Sequence, residues 1–130
     1  MNEVYEFIKA CGTYYLATVE DGQPRNRPFG TINIFDGKLY IQTGKSKPVS
    51  KQIQKNPKVE LCCFKDGKWL RLAGELVRDD RIEAKQHMLA QYPQLQAMYS
   101  AKDDNTEVLY FKSAEATFSS FTAPPRTVKF

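Results

Sequence analysis

Apolar residues at the start of the chain fall on one helical face. Val4, Phe7, Ile8 and Cys11 recur three or four positions apart, and Gly12 follows as a stop. Asn2 stands where its side chain can cap the first turn. From Thr13 the period falls to two. Thr13–Glu20 is rich in β-branched and aromatic residues, and Asp21-Gly22 marks a turn. Arg25–Phe35 sets Phe29, Thr31, Asn33 and Phe35 against Gly30, Ile32 and Ile34, which predicts one strand. Asp36-Gly37 joins it to Lys38–Thr43 as a hairpin, and Asp66-Gly67 joins Val59–Lys65 to Lys68–Val77. Asp-Gly favours the left-handed backbone that two-residue hairpin turns require. The Glu20–Pro24 connection reads as a looser turn, and Glu107–Ser113 with Glu115–Thr122 predicts a further strand pair.

Two helices interrupt the strands. Lys47-Pro48-Val49 is a helix start with proline in the first turn, turning Val49 and Ile53 inward and ending at Asn56-Pro57. Asp79-Asp80 with Glu83 resembles a capping box for a helix through Ile82, Met88 and Leu89 to Tyr92-Pro93. A further helical turn is expected over Leu95–Tyr99, then a polar loop over Ala101–Asn105. Six or seven short antiparallel strands with few helices predict a sandwich or barrel. At 130 residues, without repeat or linker, this is one domain over 1–130 with room for its own core.

Composition narrows the class further. Cys11, Cys62 and Cys63 are odd in number, and the adjacent pair is poorly spaced to bridge or share a metal. Reduced thiols and a cytoplasmic location are the expectation. No stretch approaches the roughly 20 apolar residues of a membrane span, and the N-terminus is not a signal peptide, so no membrane partner is expected. The net charge of +4 is uneven: Arg25–Lys58 holds eight Lys and Arg against one acid, Asp36. Such a field favours an anion, most simply a phosphate.

Catalytic signatures are absent. The single histidine, His87, has no Cys or carboxylate at ligand spacing and reads as a helix-surface residue. No GxSxG, HExxH, CxxC or P-loop occurs, so no metal site and no protein catalytic residue is expected, and chemistry would come from a bound cofactor. Gly22–Pro57 carries the positive signal. A helix N-terminus at Lys47-Pro48 offers free N–H groups and a partial positive charge. Ser46 adds a hydroxyl, and Lys45, Lys47 and Lys51 add charge. Arg27 reaches the same point as a bidentate partner if its strand lies beside Tyr40–Thr43 through the Asp36-Gly37 hairpin. The other reading of these residues is a hairpin followed by a solvated basic helix.

The ordered pattern G-x-P-x-x-R-P, D-G-x-L-Y-x-x-T, a Lys/Ser loop, K-x-I-x-x-N-P and x-V-x-L resembles the pyridoxamine 5′-phosphate oxidase-like family, the FMN-binding split β-barrels. The resemblance continues through Trp69 to Asp80, is good over about the first 90 residues and is loose beyond. It implies a mainly β fold: a six- to seven-stranded antiparallel split barrel of Greek-key type with short helices at its ends. It also implies FMN as cofactor, bound at a homodimer interface, and a small-molecule electron donor and acceptor. By this resemblance Arg27, Ser46, Lys47 and Lys51 match positions that hold the FMN phosphate. Pro28, Phe29 and Gly30 match the strand along the isoalloxazine ring, and Gln42 and Thr43 a strand edge beside ring and ribityl chain. Trp69, Phe121, Pro124 and Arg126 are candidates to complete the partner's site. The tail APPRTVKF lacks the Arg/His-bearing segment that binds substrate phosphate in pyridoxamine phosphate oxidases, which argues against vitamin B6 oxidation. The resemblance extends to flavin reductases, deazaflavin-dependent enzymes and haem-associated proteins. A non-catalytic flavin- or haem-binding protein is therefore the alternative to an oxidoreductase. A barrel for single-stranded nucleic acid is disfavoured, because the charge is confined to one loop–helix segment and a pI near 8.9 is modest. No nucleic-acid partner is expected.

Overall fold

The structure is a computed structural model that describes all of residues 1–130. Three Asp-Gly pairs organise it. Asp21, Asp36 and Asp66 take φ of 49°, 51° and 53°, and the glycine after each is also left-handed, which is the two-residue turn that matches strand twist. They close β1 (Tyr14–Glu20) on β2 (Gln23–Phe29), β3 (Asn33–Phe35) on β4 (Lys38–Gly44), and β5 (Lys58–Lys65) on β6 (Lys68–Asp79). The first turn is as tight as the others, with Glu20 paired to Gln23, so the looser connection expected there does not exist.

The remaining elements are α1 (Asn2–Cys11), α2 (Pro48–Lys55), α3 (Ile82–Gln91), a 3-10 turn over Pro93–Ala97, β7 (Thr106–Ser120) and β8 (Arg126–Lys129). Eight strands, one more than the upper expectation, form a single antiparallel sheet in the order β2-β1-β5-β6-β7-β4-β3, with β8 beside β7. The predicted strand pair near the C-terminus is one 15-residue strand. Ser113 at φ 54° kinks it, so the first half of β7 pairs with β4 and the second half with β8. The helix caps also differ: α1 begins at Asn2 itself, and Asp79 ends β6 instead of starting α3.

The expected Arg25–Phe35 strand is broken at Gly30–Ile32, and this break defines the architecture. β2 lies at one edge of the sheet and β3 at the other, yet only three residues join them. Three residues span roughly 10 Å at most, so the two edges lie close and the sheet curls almost into a barrel. It does not close. Side chains hold the split: Thr31 Oγ1 accepts from the Gln42 N–H at 3.0 Å, and the Tyr14 hydroxyl donates to the Thr31 carbonyl at 2.6 Å. The core inside the curl is Leu16, Ile41, Leu61, Leu70, Leu72, Leu109 and neighbours, with Val4 and Ile8 of α1 and Val49 and Ile53 of α2 packed into it. Gly74 allows a bulge in β6 where a Cβ would stand 3.2 Å from the Lys112 carbonyl oxygen.

Candidate functional site

A cleft of about 310 Å³ opens at the split. The end of β2 and the following residues give it Arg27, Pro28, Phe29, Gly30 and Thr31; the end of β4 gives Gln42 and Thr43; the start of α2 gives Lys47 and Val49. Seven of the fourteen residues singled out from sequence therefore meet in one place. Arg27 reaches it by a different route from the one expected. Its strand pairs with β1, not β4, and it is the curl of the sheet that brings both strand ends together.

The unclosed edge leaves backbone donors available. Ile32 N–H and C=O and the Thr31 carbonyl are all satisfied by tyrosine hydroxyls, but the N–H groups of Gly30 and Thr31 have no partner within the chain. Gly30 has no side chain to cover them, and a Cβ there would meet only the Gly12 carbonyl oxygen, at 3.8 Å. Space is therefore not what demands glycine here.

Arg27 is the main electrostatic feature. Its guanidinium donates to the Leu16 carbonyl at 3.2 Å, Thr18 Oγ1 at 2.7 Å and Gln52 Oε1 at 2.7 Å, all neutral acceptors. No carboxylate pairs with it, and burial followed by the nearby Arg25 pulls its pKa below the ordinary arginine value. A half-buried cation with no carboxylate in contact, only the charge of Glu20 acting on it from a distance, and fixed in place by three bonds, favours an anion in the cleft. Lys47 adds a second unpaired cation at the start of α2, a helix with no acid in its first turn and no side-chain cap.

Seven predicted residues lie outside the cleft lining, among them Pro124 and Arg126, which line a different cavity where Arg126 forms an ion pair with Glu3. Lys45 forms an ion pair with Asp80 at 3.5 Å. Ser46 is exposed next to the lining, its N–H donating to Asn105 Oδ1 at 3.0 Å. Lys51 lines a separate depression with Glu20, Asp21 and Lys55. Trp69 and Phe121 pack against each other at 5.1 Å between centroids, elsewhere on the molecule. Phe121 is 81% exposed.

The structure also supplies residues that the sequence reading did not assign to the site. Tyr92, Gln94, Leu95, Met98 and Tyr99 form the far wall of the cleft. Their signal was an aromatic and apolar cluster around the proline helix stop at Pro93. Asn105 is the second omission. Its carbonyl accepts from the Lys45 N–H at 2.7 Å and its side chain from Ser46, so it fixes the loop before α2. Asp103 in turn accepts from the N–H groups of Ser100, Asn105 and Thr106 and from the Thr106 hydroxyl, and these bonds hold its carboxyl well below the usual range against burial, which raises it. His87 is not a free surface residue: its Nδ1 lies 2.8 Å from Asn33 Nδ2, and its ring packs on Phe35, away from the cleft lining.

Comparison with known proteins agrees with this fold. Residues 1–120 match the family described as pyridoxamine 5′-phosphate oxidase. A NimC/NimA family protein from Clostridium acetobutylicum is 44% identical over 100% of this chain and 92% of its own, with a TM-score of 0.96. A haem-binding protein from Mycobacterium smegmatis (12% identity, 94% and 55% of the two chains, TM-score 0.74) shares the fold. So does a pyridoxamine 5′-phosphate oxidase-related, FMN-binding protein from Nostoc punctiforme (16%, 98% and 92%, TM-score 0.62). Nothing among the curated proteins matches. No helix is long and apolar enough to cross a membrane.

Proposed function

Because this chain belongs to the pyridoxamine 5′-phosphate oxidase family, we propose that it is an FMN-binding oxidoreductase whose flavin lies in the cleft at the barrel split. The observation that carries this reading is the Arg27 cation, bonded only to neutral acceptors, in a cleft whose lining also includes Gly30 and Thr31, two residues with unpartnered backbone N–H groups. Arg27 and Lys47 would hold the phosphate, with the exposed Ser46 next to Lys47 in the chain and Lys51 one helical turn further along α2 adding charge from outside the lining. Gly30 and Thr31 N–H groups would face the polar edge of the ring, and Gln42, Thr43 and the Tyr92–Tyr99 wall would enclose the rest. When bound, FMN supplies hydride and electron transfer. This chain's own part is placement, which matches a cleft without a catalytic histidine or carboxylate.

The partner in this proposal is a second copy of the chain. At about 310 Å³ the cleft is at the lower end of small-molecule sites, which run from roughly 300 to 1,000 Å³. Its rim residue Pro28 pairs with Tyr15, which pairs in turn with Cys62 on the outer face of the sheet. Tyr15 is 51% and Phe64 60% exposed, with Phe64 opposite Trp69. Exposed apolar side chains on the face that leads to the cleft rim, Tyr15 and Phe64 with Trp69 opposite, support a homodimer in which Trp69 and Phe121 complete the partner's site, although the charged Arg71 lies opposite Cys62 on that face. Haem is the weaker reading, since the single histidine is held by Asn33 and lies outside the cleft lining. The test is the visible spectrum of purified protein before and after FMN addition and desalting, with sedimentation in parallel. Retained flavin bands on a dimer support the proposal. No retained flavin removes the FMN assignment, and a monomer that binds FMN stoichiometrically removes the shared site.

A further inference from the structure

Tyr92 lines the cleft with its ring and is 8% exposed, so it presents itself as a proton donor to a ligand. Its hydrogen bonds exclude that role. A phenol has one donor and two acceptor lone pairs. The Tyr92 O–H donates to the Ile32 carbonyl at 2.9 Å, and its oxygen accepts from the Ile32 N–H at 2.9 Å and from Lys9 Nζ at 3.1 Å. All three capacities are used. Lys9 also sits 4.4 Å from the centroid of the Tyr92 ring, which adds a cation–π contact.

What the hydroxyl grips is the backbone of Ile32, next to the free donors. Ile32 follows Gly30 and Thr31 in the three-residue crossing between the sheet edges, where no ladder fixes the backbone. Tyr14 holds the Thr31 carbonyl and Gln42 the Thr31 hydroxyl, so Tyr92 is the third clamp and the only one that takes both polar groups of a single residue. Its partner Lys9 comes from the last turn of α1, whose following residue Gly12 also abuts Gly30.

We propose that Tyr92, backed by Lys9, is a positioning residue that sets the aim of the Gly30 and Thr31 N–H groups into the cleft and thereby the redox balance of bound flavin. This rests on the FMN reading above. Reduction adds electron density to the ring edge, and preorganised donors stabilise that state more than the oxidised one. Donors that lose their fixed aim surrender part of the difference.

The test uses the full-length chain with Tyr92→Phe, Lys9→Met and Lys9→Arg. Three quantities are measured: FMN affinity, midpoint potential of the bound FMN, and hydrogen exchange of the Ile32 amide without FMN. Tyr92→Phe keeps the ring in the cleft wall and removes only the clamp. The expected result is Ile32 exchange at least about tenfold faster, corresponding to about 1.4 kcal/mol. The ratio of reduced to oxidised FMN affinity should also fall about tenfold, a shift of about 30 mV for a two-electron couple. Lys9→Met shifts both in the same direction by less, and Lys9→Arg restores them. If Tyr92→Phe does not fold, the lysine pair carries the test alone. Faster Ile32 exchange with unchanged potential reduces Tyr92 to a structural residue and overturns the proposal. Unchanged exchange overturns the clamp itself. A wild-type chain that binds no FMN overturns the function reading and the flavin half of this inference, whereas the exchange measurement still decides the clamp.

Discussion

Arg27 and Arg81 are both partly exposed arginines near strand ends, and their surroundings are opposite in kind. Arg81 Nε donates to both oxygens of Asp79 at 3.1 and 3.2 Å, and its Nη2 to Asp79 at 2.9 Å, Asp36 at 3.2 Å and the Tyr40 hydroxyl at 3.4 Å. Its charge is spent within the fold. Arg27 is held as firmly but only by neutral acceptors, so its charge is left over. The difference separates a cation spent within the fold from one available to a ligand better than exposure does. The same contrast separates Arg78, paired with the buried Glu107, from Lys47, which pairs with nothing.

The sharpest way to break this comparison is to remove each cation in turn. Arg27→Met should weaken FMN binding about 100-fold, the size of a lost charge-assisted contact of about 2–3 kcal/mol, with a small change in thermal midpoint. Arg81→Met should leave FMN affinity within about threefold and lower the midpoint, since Asp79 and Tyr40 lose their partner. Fluorescence quenching of FMN and thermal unfolding read the two effects. Equal affinity losses in both variants would end the distinction.

The next effect is in stability alone. Hydrogen bonds from Arg81, then Tyr40, hold the Asp79 carboxyl down at about 2 despite its burial. A folded-state value below the unfolded value of about 3.9 contributes stability that is complete above about pH 4 and lost as pH falls toward about 2. Asp79→Asn should cost about 1–2 kcal/mol near neutral pH, at the lower end because Arg81 is half exposed. It should also flatten the acid limb between about pH 4 and 2 in urea unfolding. Burial, and then the Asp79 contact, push Tyr40 up to about 12. Its neutral form therefore favours the folded state below about pH 10, and that contribution is lost as pH rises through about 12.

The two regions also differed in how far the sequence revealed them. Hairpins were legible because Asp-Gly specifies its own turn, and Pro48 and Asn56-Pro57 bounded α2 as expected. Half of the cleft lining was legible: Arg27 and Lys47 as cations near a helix start, and Pro28, Phe29, Gly30, Gln42 and Thr43 through the family resemblance. Its construction was not, because nothing local to Gly30–Ile32 says that alternation stops there; the break comes from two sheet edges meeting. Ser113 likewise reads as the end of one strand when it is a kink within it. Asp79 satisfies a helix-cap pattern, yet its carboxylate is claimed by Tyr40, which lies 39 residues away. Asn105 and Tyr92 act on Ser46 and Ile32 from 59 and 60 residues away, a separation that no periodicity encodes.

The smallest effects grade the lysines of the basic segment, and they test whether unpaired charge or mere proximity decides. Lys47 lines the cleft unpaired, Lys51 lies in a separate depression one helical turn along α2, and Lys45 is already paired with Asp80. If leftover charge is what matters, Lys47→Gln should weaken FMN binding by about fivefold, Lys51→Gln by about twofold and Lys45→Gln by less than that, each within the range of about 1 kcal/mol for exposed charges. The Lys47 and Lys51 losses should shrink as salt rises, because exposed charges are screened over about 10 Å at 0.1 M. The Arg27 loss should persist, since that guanidinium is partly buried and makes its contact directly. An equal loss for Lys45 would mean that the segment acts through its summed field, and the contrast between Arg27 and Arg81 would then be one of location alone.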